Sequence, residues 1–321
     1  MTQPSAAASL AAPAVARWQD FVRLLKPRVM SLVVFTAFTG LICARAPMDP
    51  VLMAVAVLCI AVGAGGSAAL NMAYDADIDF VMRRTRARPV PSGVVRAADA
   101  LALGITLSLF SVGVMAVAIN VLAAALLAFT IVFYALVYTV WLKRRTPQNI
   151  VIGGLAGALP PAVGWAAASG NAPLNAWLLV AIIFLWTPPH FWALSLYTSG
   201  DYAKAGVPMM PVVKGAASTR RQILVYSVVL VLVALAPGFT GLGGLLYLGV
   251  AALGGLLFVG LSVRLALSRA GDTPPPHDGL YDVKASARPA RDLFAYSILY
   301  LFSLFAALLI ERFAAFGGVN L

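Results

Sequence analysis

The side chains best suited to chemistry stand close together in Asn71-Met-Ala-Tyr-Asp75-Ala-Asp77-Ile-Asp79. On a continuous helix Asn71, Asp75 and Asp79 fall at i, i+4 and i+8 and share one face, while Asp77 lies two residues off and points elsewhere. Two carboxylates one turn apart repel each other, so the pattern persists most easily when a cation neutralises it. Oxygen ligands with an amide beside them suit Mg²⁺, which keeps several waters and fills its other positions with substrate phosphate. The basic run that follows includes Arg84 and Arg88, again four apart, as forks able to grip a diphosphate. On this reading Pro89 ends the helix. The plainer alternative is a solvated helix end whose acids pair with neighbouring arginines.

Three other features carry weight. A second acidic-then-basic stretch, Asp201 to Arg221, roughly echoes Asp75 to Arg96. His190 is the one histidine within an apolar run, and an ionisable group at such a place is a functional candidate by default. If its helix continues to Asp201, the two lie about 16 Å apart along the axis. His277, in a Pro-Pro-Pro-His-Asp-Gly stretch, reads as a solvated loop residue. Cys43 and Cys59 have no CxxC partner and read as small hydrophobes. Gly63, Gly65, Gly66, Gly153, Gly154 and Gly157 suggest close helix packing. No strand precedes them and no GxxxxGK follows, so they form no nucleotide loop.

The elements that position these residues follow from composition. The 321 residues are 61% hydrophobic and only 11% charged, and the mean hydropathy is +0.91. Soluble domains carry roughly 25% charged residues, so a soluble enzyme, a coiled coil and a disordered chain are excluded. Apolar runs fall near 29–44, 51–71, 99–119, 121–142, 150–168, 174–197, 223–242, 245–264 and 293–311. They do not alternate as barrel strands do and are long enough to span a bilayer as helices. The expected fold is all-α: nine transmembrane helices bundled around a cytoplasm-facing cavity. Of the 23 lysines and arginines, all but Arg45 and Arg312 fall on one side of such a chain. The positive-inside rule then sets the N-terminus in and the C-terminus out. The net charge of +11 therefore reflects membrane topology and not nucleic acid. Residues 1–22 read as a disordered Ala/Pro-rich tail, 23–312 as one transmembrane domain and 313–321 as a short C-terminal tail.

The pattern N-x-x-x-D-x-x-x-D followed by M-x-R-T-x-x-R-P (Met82, Arg84, Thr85, Arg88, Pro89) resembles the first aspartate-rich motif of the UbiA superfamily of intramembrane prenyltransferases. Its second half is similar to the haem O synthase branch. Further segments agree in order: Lys26-Pro27-Arg28-Val29, Leu142 to Gly154 with Pro160-Pro161 and Gly164-Trp165, and Pro189-His190-Phe191-Trp192 leading to Asp201-Tyr202 and Gly206 to Met209. The likeness runs from about residue 24 to 310. One departure stands out, because the branch commonly has Asp-Asp-Tyr where this chain has Gly200-Asp201-Tyr202 and so one carboxylate.

The resemblance implies transfer of a farnesyl group from farnesyl diphosphate to a vinyl group of protohaem IX, with water adding to give haem O. It implies Mg²⁺ held by Asn71, Asp75, Asp79 and Asp201, the three aspartates being catalytic. Lys26, Arg28, Arg84, Arg88, Lys143 and Lys204 would bind diphosphate. His190 is a haem-binding candidate, as an axial ligand or by direct contact; the alternative is that it merely hydrogen-bonds neighbouring backbone freed by Pro188 and Pro189. Tyr74, Tyr134, Tyr138, Trp192 and Tyr197 would line the cavity or act as plain interface anchors. The partners implied are farnesyl diphosphate, protohaem IX, the lipid bilayer and haem-pathway membrane enzymes downstream. The implied location is the cell inner membrane, multi-pass, with the active site toward the cytoplasm. Two rival readings are an aromatic quinone precursor as acceptor, and a transporter. The M-x-R-T-x-x-R-P and P-H-F-W segments count against the first. Carboxylates confined almost wholly to one side, all but Asp49 and Glu311, count against the second.

Overall fold

A computed structural model describes residues 16–272 and 285–316. Its regular elements, among the described residues, are all helical. They are α1 (Trp18–Leu24), α2 (Pro27–Cys43), α3 (Pro50–Tyr74), α4 (Ala76–Val81), α5 (Ala97–Ile119), α6 (Val121–Leu142) and α7 (Asn149–Ser169). After them come α8 (Leu174–Tyr197), α9 (Ser199–Lys204), α10 (Met210–Val213), α11 (Ala216–Phe239), α12 (Leu245–Ala266) and α13 (Arg288–Phe316). Eight of these, α3, α5 to α8 and α11 to α13, are each long and apolar enough to cross a membrane. A ninth span arises when α1 and α2 are taken together, bent by 52°. The bend has a local cause. Lys26 adopts a left-handed backbone (φ 50) just before Pro27 opens α2, and a proline disfavours the right-handed helical region at the residue before it.

Several boundaries depart from the expected ones. Helix α1 starts inside the segment read as tail, with the Arg17 N–H donating to Asp20 Oδ2 at 3.1 Å to hold its first turn. Helix α13 runs past Arg312. Helix α11 begins at Ala216, earlier than hydropathy places it, because buried Arg220 donates to the Ala270 carbonyl at 2.6 Å and to Asp272 at 2.7 Å. A charge so partnered can sit on a buried helix end. Residues 1–15 and 317–321, the rest of the expected tails, and His277 lie outside the described residues.

Neighbours in the chain are neighbours in space: the spans pack in order from α2 round to α13, and α13 returns against α2. Phe35 and Phe302 stack at 4.9 Å across that last seam. Helices α7 and α8 also touch members across the ring, α2 and α13 respectively, and are the most buried spans. The α2–α7 crossing is tight because it is made of glycine. A methyl group on Gly40 would stand 2.0 Å from the Pro161 carbonyl oxygen, and one on Gly164 2.0 Å from that of Ala37. Of the glycines singled out by sequence, Gly66 meets Gly104 of α5 in the same way, whereas Gly157 faces open space.

Candidate active site

Helix α3 ends at Tyr74 and α4 restarts at Ala76, with Asp75 at the joint (φ −88, ψ 13). The backbone ladder survives the joint: Asp75 N–H donates to Asn71 O at 2.9 Å and Asp79 N–H to Asp75 O at 2.8 Å. Asn71, Asp75 and Asp79 therefore share one face, and all three are buried, at 4%, 0% and 2% exposure. Asp77 points away, its side chain 63% exposed. Beyond Val81 the helix does not continue to Pro89. It stops at Met82, which turns extended, and residues after it form turns. Thr85 explains the stop, since its buried hydroxyl donates to the Asp79 carbonyl at 3.0 Å and caps the helix end. Arg84 and Arg88 consequently share no helix face.

Helix α6 meets this face with a widened last stretch, Phe133–Leu142. There Lys143 N–H donates to the Tyr138 carbonyl at 2.9 Å, five residues back, and Thr139 Oγ1 to that of Tyr134 at 2.8 Å. Such wide turns recur at functional sites. This one sets two side chains against the aspartate motif. Asn71 Nδ2 donates to Asp75 Oδ2 at 2.7 Å and to Thr139 Oγ1 at 3.1 Å. Lys143 Nζ donates to Asp75 Oδ2. Both inter-helix pairs are 68 residues apart, so α3 and α6 run parallel and in register here for one turn.

The remaining cations close around the same acids. Arg88 donates to Asp79 Oδ2 at 2.6 Å. Lys26, at the bend before α2, donates to Asn71 Oδ1 at 2.8 Å. Arg144 forks onto Asp77 at 2.7 and 2.8 Å, lies 3.8 Å from Asp75 Oδ1 and covers the Tyr74 ring at 4.9 Å. Its guanidinium holds the Asp77 carboxyl below the usual aspartate range. Arg28 and Arg84 are exposed. Lys204 and Asp201 come from α9, after α8 breaks at Thr198 (φ −117) rather than staying helical to Asp201. A cavity of about 300 Å³ lined by Asp77, Ile78, Val81, Arg144, Lys204, Ala205 and Gly206 joins the two acidic segments.

The residues present can take a divalent cation. Asp75 Oδ1 is buried with no hydrogen-bond partner, an acceptor left waiting for a donor or a cation. No group of three His, Cys, Asp or Glu side chains that could hold a metal forms among the described residues, so Asp201 is not gathered with Asp75 and Asp79 into a three-acid cage. Mg²⁺ can be held by one or two carboxylates with substrate phosphates completing the shell.

Comparison with known proteins assigns the lineage. The UbiA prenyltransferase family model matches residues 33–276. The chain belongs to the UbiA prenyltransferase family. A curated relative from Caulobacter sp. (strain K31), named protoheme IX farnesyltransferase, is 66% identical over 97% of this chain and 94% of its own. Two solved structures resemble this fold at lower identity. One, from work on digeranylgeranylglyceryl phosphate synthase, has a TM-score of 0.70 at 16% identity, covering 92% of this chain and 98% of its own. The other, a UbiA homolog from Archaeoglobus fulgidus bound to GPP and Mg²⁺, has a TM-score of 0.59 at 16% identity, covering 90% and 99%.

Within this UbiA-family chain, sequence reasoning missed Thr139, whose only signal is a hydroxyl near the end of an apolar run, and the Arg144–Asp77 fork. It missed Ser297 as well. His190 Nδ1 lies 2.7 Å from Ser297 Oγ on α13, so the ring is held by a hydroxyl of another helix and not by the backbone beside Pro188 and Pro189. Tyr134 and Tyr138 stack at 5.4 Å beside the motif, and Gly153 leaves the room that the Tyr138 ring fills, since a methyl group there would stand 2.1 Å from it.

Proposed function

We propose that this prenyltransferase moves the farnesyl group of farnesyl diphosphate to a vinyl group of protohaem IX, giving haem O and diphosphate. The observation that carries the choice of substrates is the 66% identity to a protoheme IX farnesyltransferase over nearly the whole of both chains. The chemistry is supported by two buried aspartates, each already set against a cation. In the reaction the C1–O bond of the allylic diphosphate breaks and its electron pair leaves with the diphosphate. The vinyl π electrons attack C1, water adds to the resulting porphyrin-stabilised cation, and a proton is released to leave a hydroxyl group.

Asn71, Asp75, Asp79 and Asp201 are proposed to hold Mg²⁺, which when bound neutralises diphosphate charge as it grows. A UbiA homolog of similar fold bound to GPP and Mg²⁺ supports the choice of metal. Lys26, Arg88 and Lys143 stand where they can add donors to the leaving group, and Arg28, Arg84 and Lys204 supply more peripheral charge. The stacked rings of Tyr134 and Tyr138 offer aromatic faces to the allylic cation, and the buried setting keeps water from it. His190 is proposed to contact the porphyrin. Charge asymmetry supports a cytoplasm-facing site in the inner membrane.

Purified protein given Mg²⁺, farnesyl diphosphate and protohaem should yield farnesylated haem by mass spectrometry. A prenylated 4-hydroxybenzoate in place of it would transfer the reading to an aromatic acceptor.

A further inference from the structure

His190 is packed among rings and touched at one edge by a hydroxyl. Trp186 stacks on it at 4.2 Å and Phe294 at 4.6 Å, while Phe191 meets it edge-on at 5.1 Å. These contacts restrict the plane of the imidazole. The hydroxyl is that of Ser297, 2.7 Å from Nδ1. Ser297 Oγ also lies 2.6 Å from the Phe294 carbonyl oxygen, to which it donates. Its backbone carbonyl in turn accepts from Trp186 Nε1 at 2.7 Å, which ties the serine to the same ring stack.

A serine hydroxyl has one hydrogen to give. With that hydrogen on the Phe294 carbonyl, only lone pairs face His190. Nδ1 must then carry the ring hydrogen and donate it. A neutral imidazole has a single N–H, so the lone pair falls to Nε2. That nitrogen makes no hydrogen bond among the described residues, which leaves it a lone pair without a protein partner although the residue is buried.

We propose that Ser297 is a positioning residue that locks His190 in the Nδ1–H tautomer and presents Nε2 as an axial donor to the iron of the porphyrin substrate. The proposal rests on the reading of His190 as a porphyrin contact. Metal-bound imidazoles characteristically donate their second N–H to a fixed acceptor, which sets ring orientation and basicity. A carboxylate would do this at the cost of burying a charge. A hydroxyl oriented by a carbonyl does it without one.

The chain contains only two histidines, His190 and His277, so nitrogen NMR of ring-labelled protein can read the tautomer directly. His277→Gln removes the second signal. In haem-free protein the couplings should report hydrogen on Nδ1 of His190. Ser297→Thr should preserve that pattern, and Ser297→Ala should shift it toward hydrogen on Nε2. With protohaem added, Ser297→Ala should weaken binding about tenfold and move the Soret band, with Ser297→Thr near wild type and farnesyl diphosphate binding unchanged in both. Hydrogen on Nε2 in the wild-type protein would overturn the proposal without recourse to any variant. So would a Ser297→Ala protein that keeps the Nδ1–H form. The underlying reading fails separately: a folded His190→Ala protein with unaltered haem affinity and spectrum would remove His190 from the porphyrin site, whatever its tautomer.

Discussion

Buried Asp75 and Asp79 are paired with the part-buried cations Lys143 and Arg88 respectively, with Arg144 a further 3.8 Å contact to Asp75, whereas Asp77 meets Arg144 near the surface. Burial and partner together decide what substitution does. Asp75→Ala or Asp79→Ala should lower farnesyl transfer at least a hundredfold, the usual scale for losing one group aimed at developing charge. The spans should still assemble, because their apolar contacts are untouched. Thermal stability should fall, since Lys143 or Arg88 is left part-buried without its acid. Asp77→Ala should cost less than about tenfold, being off the shared face; equal losses at all three positions would refute the division of roles. The Asp77–Arg144 pair also has a pH signature. Its folded-state carboxyl titrates lower than the free one, so its stabilisation is present above the ordinary aspartate range and is lost as pH falls through the depressed value. The gap in thermal midpoint between wild type and Asp77→Ala should close on acidification.

At the scale of helices, the decisive contacts are those where a side chain must be missing. Gly164→Ala or Gly40→Ala drives a methyl group into the backbone of the facing helix. Neither carbonyl can give way as a flexible side chain would. Overpacking of this kind costs about 1–3 kcal/mol, which thermal unfolding in detergent would register as a clear drop. Gly113→Ala on α5 meets nothing and should be neutral or slightly stabilising. Indistinguishable midpoints for Gly164→Ala and Gly113→Ala would mean that α2 and α7 do not cross as described. Gly153→Ala displaces the Tyr138 ring, so activity should suffer there more than stability.

For the molecule as a whole, eight helices among the described residues are long and apolar enough to cross a membrane, or nine with the bent α1–α2 pair, and the proposed orientation can be read by labelling. Cys43 and Cys59 are buried, so they leave a quiet background for introduced cysteines. Asn171→Cys, in the loop between α7 and α8, should react with a membrane-impermeant thiol reagent added to the periplasmic side. Ala203→Cys, on α9 beside the second acidic segment, should react only when the inner face is exposed. The reverse pattern would invert the protein in the membrane and move the active site to the other side.

What the sequence determined by itself is what local spacing controls. A lipid-embedded backbone must satisfy its own hydrogen bonds, so long apolar runs had to be helices, and their order followed. The four-residue rhythm of Asn71, Asp75 and Asp79 put them on one face and left Asp77 off it, because neighbouring turns of one helix decide that geometry. Tertiary structure decided everything that depends on a second helix. It brought Lys143 to Asp75 and Thr139 to Asn71 through a wide turn in α6, and gave His190 a partner 107 residues away in Ser297. The physical reason is range. Periodicity records which side chains share a face, but the group that meets that face is fixed by how closely helices can approach, and that is set by small residues and side-chain hydrogen bonds far along the chain.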